Sequence, residues 1–494
     1  MLLNDMGAHA EAEPMLEDAY FEATAGVAPE VNARAAVGLV RVVGVSSDRH
    51  ADGLRWGRLA EVAVATLSGA GGPARIGLLT NLANVHNRAG DHDRARQLYE
   101  QALSVGEREL GPNHLLVASA LNGLALLEQT AGRADEAEVL VRRVLALREE
   151  GLGADHPDVA SMYNNLGLLR HAAGDHDEAT ALLEQALAIR ERALGPEHPL
   201  VADTINNLGL FAREVGALSK ARILLEQALA IRERALAPKH PKQAESLHNL
   251  ALVHYDAGRY EDAKILLERA IAIREEVLAP EHLDLASSLG ALAVVHHWAG
   301  EHEAARRLLE RTLAIEEKVL GPEHPVVAGY LCDLADVRWN AGERDEAEAL
   351  YERAFAIRTQ VLGPDHPDLA ASLHGLARAR RWKGERDAAE ALETRALAIY
   401  EQAFGPDHST VAIPLVSLAE LALEGGQPGK AIASAQRAVA IREHAELAAG
   451  IPDDHLVLDH DRHTVERATL PLRNFVESIR IGHQAIVPSH HRVK

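Results

Sequence analysis

The sequence predicts an all-α solenoid, in which helix pairs stack one upon the next. Two markers return every 42 residues along most of the chain. One is the histidine of a link related to Gly-Pro-x-His, found at His114, His156, His198, His240, His282, His324, His366 and His408. The other is a turn glycine, found at Gly90, Gly132, Gly174, Gly216, Gly258, Gly300, Gly342, Gly384 and Gly426. A fixed period of this length indicates a repeat architecture, which accommodates 494 residues by adding repeats instead of enlarging one core.

Composition narrows the class of partner and the compartment. The formal net charge of −22 argues against nucleic acid and against an anionic membrane as the main partner. The single cysteine, Cys332, excludes an intrachain disulfide and fits a reducing cytoplasm. Residues 1–10 lack the basic start and long apolar core of a signal peptide, and no apolar run approaches the roughly 20 residues that cross a bilayer. We therefore expect a soluble, cytoplasmic protein.

Residues 157–195 show how each helix pair is specified. Pro157 suits a first helical turn, and His156 before it takes the extended backbone that an N-cap residue needs. Apolar residues follow at helical spacing until Gly174, which ends the first helix. Asp175 favours the start of the second helix, which runs to the next link. Each repeat is therefore a first helix, a short turn, a second helix and a link.

Small residues mark where helices approach closely. One column holds Ala95, Ala137, Ala179, Ala221, Ala263, Ala305, Ala347, Ala389 and Ala431. Another holds Ala83, Ala125, Gly167, Gly209, Ala251, Ala293, Ala335, Ala377 and Ala419. A leucine at one of these positions would overpack the contact and cost about 1–3 kcal/mol.

This spacing of small residues resembles the tetratricopeptide repeat. The 42-residue length and the Gly-Pro-x-His-Pro link resemble the kinesin light chain subtype of that repeat. Residues 206–209 (NNLG) and 224–233 (LLEQALAIRE) are very close to it. The resemblance covers nearly all of residues 72–448 and implies a right-handed solenoid whose first helices line a concave groove.

The period divides the chain into four segments. Residues 1–28 resemble a partial repeat with only its second helix, and residues 29–71 a divergent repeat. Residues 72–448 hold nine regular repeats, and we expect residues 449–494 to form a polar cap or tail that is partly disordered. The missing first helix leads us to expect that the chain begins inside a larger architecture, with a dedicated capping helix as the alternative.

The regular repeats depart from their pattern at a few links. Their first helices are predicted to begin near Ala74, Leu115, Pro157, Pro199, Pro241, Leu283, Pro325, Pro367 and Ser409. Ala237 and Ala279 replace the link glycine, where a left-handed backbone is less favourable for alanine. We expect those two links to differ in geometry while the stack persists.

A looser resemblance concerns the N-terminal segments. A half repeat, a divergent repeat containing VVG and then GLRW, and regular repeats together resemble the C-terminal tails of bacterial, especially myxobacterial, serine/threonine kinases. The sequence has no kinase glycine-rich loop, HRD or DFG motif. The resemblance implies that only a sensor or docking half is present, with a protein kinase in cis or in trans as its partner.

No motif in the sequence predicts catalysis or a cofactor. Hydrolase elbow, HExxH and Walker A motifs are absent. The link histidines should lie about 10 Å apart, too far for shared metal coordination, so we interpret them as helix caps. His455, His460 and His463 lie beside four aspartates in the tail, and they are either metal ligands or part of a solvated tail. We predict a non-catalytic protein without a metal site.

The candidate ligand contacts lie on the first helices. Asn81, Asn165, Asn207 and Asn249 share one position of the repeat, which we call the groove column. The other repeats place Gly123, Ala291, Asp333, Gly375 and Ser417 there, and we count Asp333 among the candidate ligand contacts. Asparagine is a mediocre helix former whose amide both donates and accepts hydrogen bonds. The family resemblance implies that such a column holds the backbone of an extended peptide. Bonds to the neighbouring repeat or to water are the alternative.

A second candidate surface lies in the later repeats. Arg378 and Arg381 are one turn apart, and Trp382 follows them. Arginine beside an exposed aromatic ring is a common binding composition, and an acidic or C-terminal carboxylate would suit it. Solvated arginines and a packed tryptophan are the alternative. The sequence thus predicts a scaffold that binds a protein or peptide, or else the regulatory half of a kinase signalling protein.

Overall fold

The computed structural model describes residues 9–26, 28–47, 49–67 and 71–448. Within these ranges the chain is all α-helical, apart from turns, a π-helical turn at Val42–Ser46 and a 3-10 turn at Ser409–Val411. Successive helices pack on one another in pairs. The tail histidines His455, His460 and His463 lie outside the described residues. The division of the chain at residues 28, 71 and 448 stays a prediction.

The chain divides into two compact units, of which the first spans Met1–Phe211. Its helices are α1 (His9–Ala25), α2 (Pro29–Arg41), α3 (His50–Ala65), α4 (Gly72–Arg88), α5 (His92–Glu109), α6 (Leu115–Thr130), α7 (Ala134–Leu152), α8 (Pro157–Ala172) and α9 (His176–Leu194). Helix α10 (Pro199–Glu214) begins in this unit.

The second unit spans Ala212–Lys494. Its helices are α11 (Leu218–Ala235), α12 (Pro241–Asp256), α13 (Tyr260–Val277), α14 (Leu283–Trp298), α15 (His302–Leu320), α16 (Pro325–Asn340), α17 (Arg344–Leu362), α18 (Asp368–Trp382), α19 (Arg386–Phe404), α20 (Ala412–Glu424) and α21 (Pro428–Ala448). Even-numbered helices from α4 onward are first helices, and odd-numbered helices from α5 onward are second helices.

The link histidines cap the helices that follow them. His156 has an extended backbone (φ −74°, ψ 138°), and its Nδ1 accepts a hydrogen bond from the backbone N–H of Asp158 at 3.1 Å. The same bond, two residues ahead, recurs at His114, His198, His240, His282, His324, His366 and His408. A side-chain acceptor at this position satisfies an N–H that has no partner within the helix.

The two links that lack glycine differ in geometry. Helix α9 ends in Gly195 with φ 86°, a left-handed conformation that favours glycine. Helix α11 instead ends one residue earlier in its repeat, with Leu236 extended at φ −107°. The left-handed conformation moves to Lys239, at φ 64°. Alanine at position 237 therefore shifts the turn along the link.

Small residues form the core of the helix pairs. The column from Ala95 to Ala431 is buried, with no member more than 1% exposed. Ion pairs join second helices on the outside, each linking residues 36 positions apart, such as Arg143 with Glu107 at 2.7 Å and Arg311 with Glu275 at 2.8 Å. Exposed pairs of this kind contribute little stability individually. The apolar core therefore supplies most of the stability. The ion pairs recur because equivalent charged residues recur in consecutive repeats.

Candidate functional site

A column of buried arginines joins consecutive repeats. Arg232 is 1% exposed, and its Nη1 donates to the carbonyl oxygen of Lys242 at 2.9 Å and to Ser246 Oγ at 2.7 Å. Arg190 makes the equivalent bonds to Leu200 O and Thr204 Oγ1. Arginine holds this position as Arg148, Arg190, Arg232, Arg274, Arg358 and Arg442, and all but Arg148 and Arg442 are buried. These arginines were not recognised from the sequence as a column, although they recur with the period of 42 residues.

In one repeat an acidic residue replaces the arginine of this column. Glu316 takes the place of arginine and is only 3% exposed, and its Oε2 has no hydrogen-bond partner within the described residues. Burial raises the pKa of Glu316. Tyr330 takes the place of the serine or threonine, and Gly290 makes room for it, since a Cβ there would lie 2.5 Å from the tyrosine ring. The three residues form one adapted cluster.

The groove-column asparagines also join repeats. Asn81 Nδ2 donates to the carbonyl oxygen of Val37 at 3.0 Å, and Asn207 Nδ2 donates to Asn164 Oδ1 at 3.0 Å. Each of these bonds reaches the preceding first helix. Asn165 is half-buried, and Asn249 is buried at 9% exposure. The amide N–H groups of Asn81 and Asn207 therefore already serve the contact between repeats.

Two gaps in the groove column have a steric cause. A Cβ at Gly123 would collide with the ring of Tyr99, and a Cβ at Gly375 would collide with the ring of Tyr351. Each tyrosine belongs to the second helix that precedes the glycine. In the repeats that carry Asn165, Asn207 and Asn249, the residue equivalent to the tyrosine is leucine or valine. Glycine is required here because the tyrosine ring occupies the space of an asparagine side chain.

The second unit contains an open cleft of about 680 Å³. Its walls come mainly from three successive first helices, α14, α16 and α18, together with side chains of the second helices behind them. Aromatic and charged side chains share the walls, among them Trp298, Asp333, Tyr351, Arg358, His374 and Tyr400. One of the groove-column candidates, Asp333, thus lies in the cleft wall.

A network centred on Tyr351 lies in the cleft wall. Tyr351 donates to Asp336 Oδ1 at 2.6 Å, and Arg378 donates to both Asp336 and Tyr351. Arg378 also lies over the ring of Trp339, with its Cζ 4.8 Å from the ring centre. Burial lowers the pKa of Arg378, but the adjacent Asp336 carboxylate outweighs burial and the pKa is raised. Arg378 is therefore a cation whose charge is matched within the cleft wall.

The sequence placed Arg378, Arg381 and Trp382 together as one surface, but the structure separates their roles. Arg378 lines the cleft. Arg381 instead forms ion pairs with Glu420 and Glu424 of α20. Trp382 is 46% exposed, and the guanidinium of Arg344 lies 5.1 Å from its ring centre. A docking carboxylate would have to compete with the carboxylates that already pair with both arginines.

His374, which is half-buried in the cleft wall, pairs with a buried carboxylate. His374 Nδ1 lies 2.8 Å from Glu393 Oε1, which also accepts a hydrogen bond from Ser417 at 2.7 Å. Glu393 is fully buried. Burial lowers the pKa of His374, but the charge and hydrogen bond of Glu393 outweigh burial, so the pKa is raised. Glu393 is the residue equivalent to Tyr351 one repeat later. Its carboxylate accepts the hydrogen bond of Ser417, the groove-column residue of the following repeat.

The described residues offer little for redox or metal chemistry. Burial raises the pKa of the Cys332 thiol to about 11, which disfavours the reactive thiolate. Across residues 9–26, 28–47, 49–67 and 71–448, no three histidine, cysteine, aspartate or glutamate side chains are arranged to hold a metal ion. None of the helices in these ranges has the length and apolar character that crossing a bilayer requires.

The stacked helix pairs, their buried small residues and their period define a tetratricopeptide repeat protein. The family model described as "Tetratricopeptide repeat" matches residues 75–150, 158–234, 201–276, 284–358, 326–402 and 379–444. These matches cover more than half of the chain, so the chain belongs to the tetratricopeptide repeat family. No curated protein matches it.

Solved structures of similar proteins match this chain over different lengths. A Rap protein complexed with Competence and Sporulation Factor is 13% identical, with a TM-score of 0.54, over 76% of this chain and 99% of that chain. BtubC (BKLC) from P. vanneervenii is 24% identical, with a TM-score of 0.40, over 47% of this chain and 90% of that chain. TPR-like repeats of a Podosopora anserina protein assigned as a kinesin light chain are 32% identical, with a TM-score of 0.36. The match covers 42% of this chain and 97% of that chain.

Proposed function

We propose that this chain is a non-catalytic scaffold that binds a protein or peptide, with its ligand in the cleft of the second unit. The observation that carries this proposal is the cleft itself, about 680 Å³ in volume and walled by three successive first helices. Ligand sites commonly have volumes of roughly 300–1,000 Å³, with aromatic walls and a few polar groups. A preformed surface of this kind orders little on binding, which favours affinity.

The chemistry of the walls fits a peptide. Trp298 is only half-buried and provides aromatic surface, and Asp333 and His374 provide polar groups in the same wall. An extended or helical segment could use both kinds of contact along successive helices. The Rap protein that shares this fold was crystallised with Competence and Sporulation Factor, which supports a second molecule as the partner of such an array.

The test is site-specific photocrosslinking from full-length protein in cells. A benzophenone amino acid replaces Asn340, an exposed residue that lines the cleft. The matched control replaces Ile265, which is 58% exposed on the second helix α13. We expect a defined partner to be crosslinked from position 340 and not from position 265. Equal crosslinking from both positions, or none from position 340, would contradict ligand binding in the cleft.

The groove-column asparagines remain proposed ligand contacts. Asn81, Asn165, Asn207 and Asn249 are changed together to alanine, and circular dichroism checks that the variant is folded. Partners that are lost from affinity purification with this variant alone would support a role of the column in binding. Unchanged partners would make these asparagines contacts between repeats, the role that the bonds of Asn81 and Asn207 already show.

A second candidate function is the regulatory half of a serine/threonine kinase signalling protein. The resemblance of the N-terminal segments to bacterial kinase tails favours it. This function predicts a kinase among the crosslinked partners, or a kinase reading frame directly upstream. If neither is found, the general scaffold remains. We further propose a cytoplasmic location, with neither nucleic acid nor membrane as partner, on the grounds of the acidic charge and the single cysteine.

A further inference from the structure

The cleft wall contains a buried arginine, most of whose hydrogen-bond donors have no partner. Arg358 lies on α17, lines the cleft and is 7% exposed. Its Nη1 donates to Ser372 Oγ at 2.8 Å and to Cys332 Sγ at 3.4 Å. Within the described ranges its hydrogen bonds all start from Nη1, and its buried Nε has no partner. A guanidinium group carries five N–H donors, so the edge formed by Nε and Nη2 is available.

Equivalent arginines in other repeats use oxygen atoms from two positions beside Nη2. One position lies 29 residues before the arginine, where Ser161 Oγ accepts a bond from Arg190 Nη2 at 3.2 Å. The other lies 13 residues after the arginine, where Glu245 Oε1 accepts a bond from Arg232 Nη2 at 3.4 Å. These two positions therefore supply the acceptors for this end of the guanidinium group.

Around Arg358 neither position carries a side-chain oxygen. The residue 29 positions earlier is Gly329, and the residue 13 positions later is Ala371. A Cβ on Gly329 would lie 3.9 Å from Arg358 Nη2, so this position does face the guanidinium group. Gly329 and Ala371 both line the cleft. The space that serine or glutamate fills beside the equivalent arginines is therefore open to the cleft here.

The positive charge of Arg358 is also left without a counter-ion. Arg358 forms no ion pair within the part of the chain that the structure describes. Two carboxylates line the cleft, but Asp336 is matched by Arg378, and Asp333 already has a partner. A buried charge without a counter-ion is costly, and an anion beside it would remove that cost. The formal charge of −22 does not attract anions from a distance, so any selection acts at contact range.

We propose that Arg358 binds a carboxylate of a peptide ligand, either an aspartate or glutamate side chain or the C-terminal carboxylate. Its Nε and Nη2 donate side by side to the two carboxylate oxygens, a geometry that suits the planar guanidinium group. The ligand carboxylate takes the place that Glu245 has beside Arg232. This inference rests on the proposed function of the cleft, and it defines one chemical group of the ligand.

The first test needs no ligand. Ala371 is exposed, and Ala371→Glu introduces the carboxylate that the equivalent position has at Glu245. Ala371→Gln is the matched control, with nearly the same size and no charge. In urea unfolding at neutral pH, the glutamate variant should have the higher midpoint, because only glutamate neutralises Arg358. Equal midpoints would overturn the inference, since Arg358 would then have no unmatched charge.

The second test identifies the ligand group. A T7 phage library of random dodecapeptides with free C-termini is selected on the full-length protein. We expect enrichment of aspartate or glutamate at one position, or of one C-terminal sequence. The selected peptide is compared by fluorescence anisotropy with two analogues, one with the acidic side chain changed to its amide and one with a C-terminal amide. The analogue that lacks the bound carboxylate should bind about tenfold more weakly, which corresponds to about 1.4 kcal/mol.

Variants locate the bound carboxylate at Arg358. Ala371→Glu should abolish the preference for the carboxylate peptide, because it occupies the guanidinium group from within, and Ala371→Gln should keep the preference. Arg358→Gln should abolish it without weakening the neutral analogue, after circular dichroism has shown that the variant is folded. Arg307→Gln removes an exposed arginine outside the cleft lining and should change nothing.

The outcomes separate this inference from the proposed function. Peptides whose affinity does not depend on a carboxylate would overturn it while leaving the cleft as a binding site. Equal effects of Ala371→Glu and Ala371→Gln on the preference would do the same, since the cause would then be steric. Failure of the library to yield any peptide that crosslinks at position 340 would overturn the proposed function, and the inference with it.

Discussion

At the scale of single residues, the side chain beneath a groove-column position decides which residue that position holds. Leu183 lies one helix back from Asn207, and Leu225 lies one helix back from Asn249. Where tyrosine replaces leucine at residue 351, the ring fills the space above it and the column position becomes Gly375. The groove surface is thus determined by packing as well as by any ligand.

A double-mutant cycle tests this coupling. Gly375→Asn alone should destabilise the protein by about 1–3 kcal/mol, because the new side chain overpacks against Tyr351. In a Tyr351→Leu background the same change should cost much less, since leucine is the residue beneath Asn249. Urea unfolding of the four proteins gives the coupling energy, expected at about 1 kcal/mol or more. Additive effects would show that the two positions are independent.

Glu316 gives a pH-dependent prediction. Burial raises its pKa, so the folded chain holds this proton more tightly than the unfolded chain does. The residue therefore opposes folding once the pH exceeds the ordinary glutamate pKa of about 4.3, and the penalty is complete above the raised pKa. At pH 7.5 we expect Glu316→Gln to be more stable than wild type by about 1 kcal/mol in urea unfolding. The difference should disappear near pH 4, and a difference independent of pH would contradict burial of the charged carboxylate as its cause.

At the scale of helices, the link histidine determines where each first helix begins. The predicted starts at Leu115, Pro157 and Pro325 coincide with those of α6, α8 and α16. Helix α18 begins at Asp368 instead of Pro367, and a 3-10 turn that starts at Ser409 precedes α20. Proline, histidine and glycine constrain the local backbone strongly, so element boundaries were readable from the sequence.

The histidine cap can be tested by substitution. His156→Ala removes the acceptor for the Asp158 N–H and should cost about 1 kcal/mol. His156→Asn should retain most of that stability, because asparagine also accepts a bond at an N-cap. Hydrogen exchange at the first turn of α8 measures the effect locally. Equal exchange rates in the alanine and asparagine variants would show that the cap contributes nothing.

At the scale of the whole molecule, the fold was predictable and the site was only partly so. The period fixes helix pairing, because every repeat reuses the same local signals. The buried state of Arg232 was not recognised, since its partners Lys242 and Ser246 lie in the following repeat. Arg378 and Arg381 are one turn apart in sequence, yet each pairs with carboxylates some 40 residues away. Charge pairing across repeats is a property of the assembled stack.

Deleting one complete repeat should leave that stack intact. Removal of residues 241–282 joins His240 to Leu283 and keeps the register. Arg232 would then meet the carbonyl oxygen of Asp284 and Ser288, the partners that Arg274 now has. Circular dichroism should show a loss of helix in proportion to the 42 residues removed. Complete loss of the helical signal would contradict a stack that is stabilised by contacts between neighbouring repeats. The control is deletion of half a repeat, which would break the pairing of helices.

The bonds between repeats also bear on how the chain folds while it is being made. The bond between Arg232 and Lys242 spans 10 positions, and the bond between Asn81 and Val37 spans 44. At a synthesis rate of roughly 5–20 residues per second, a partner 44 positions downstream follows within roughly 2–9 s. Each repeat can thus complete its polar contacts with its neighbour long before translation of the chain has finished.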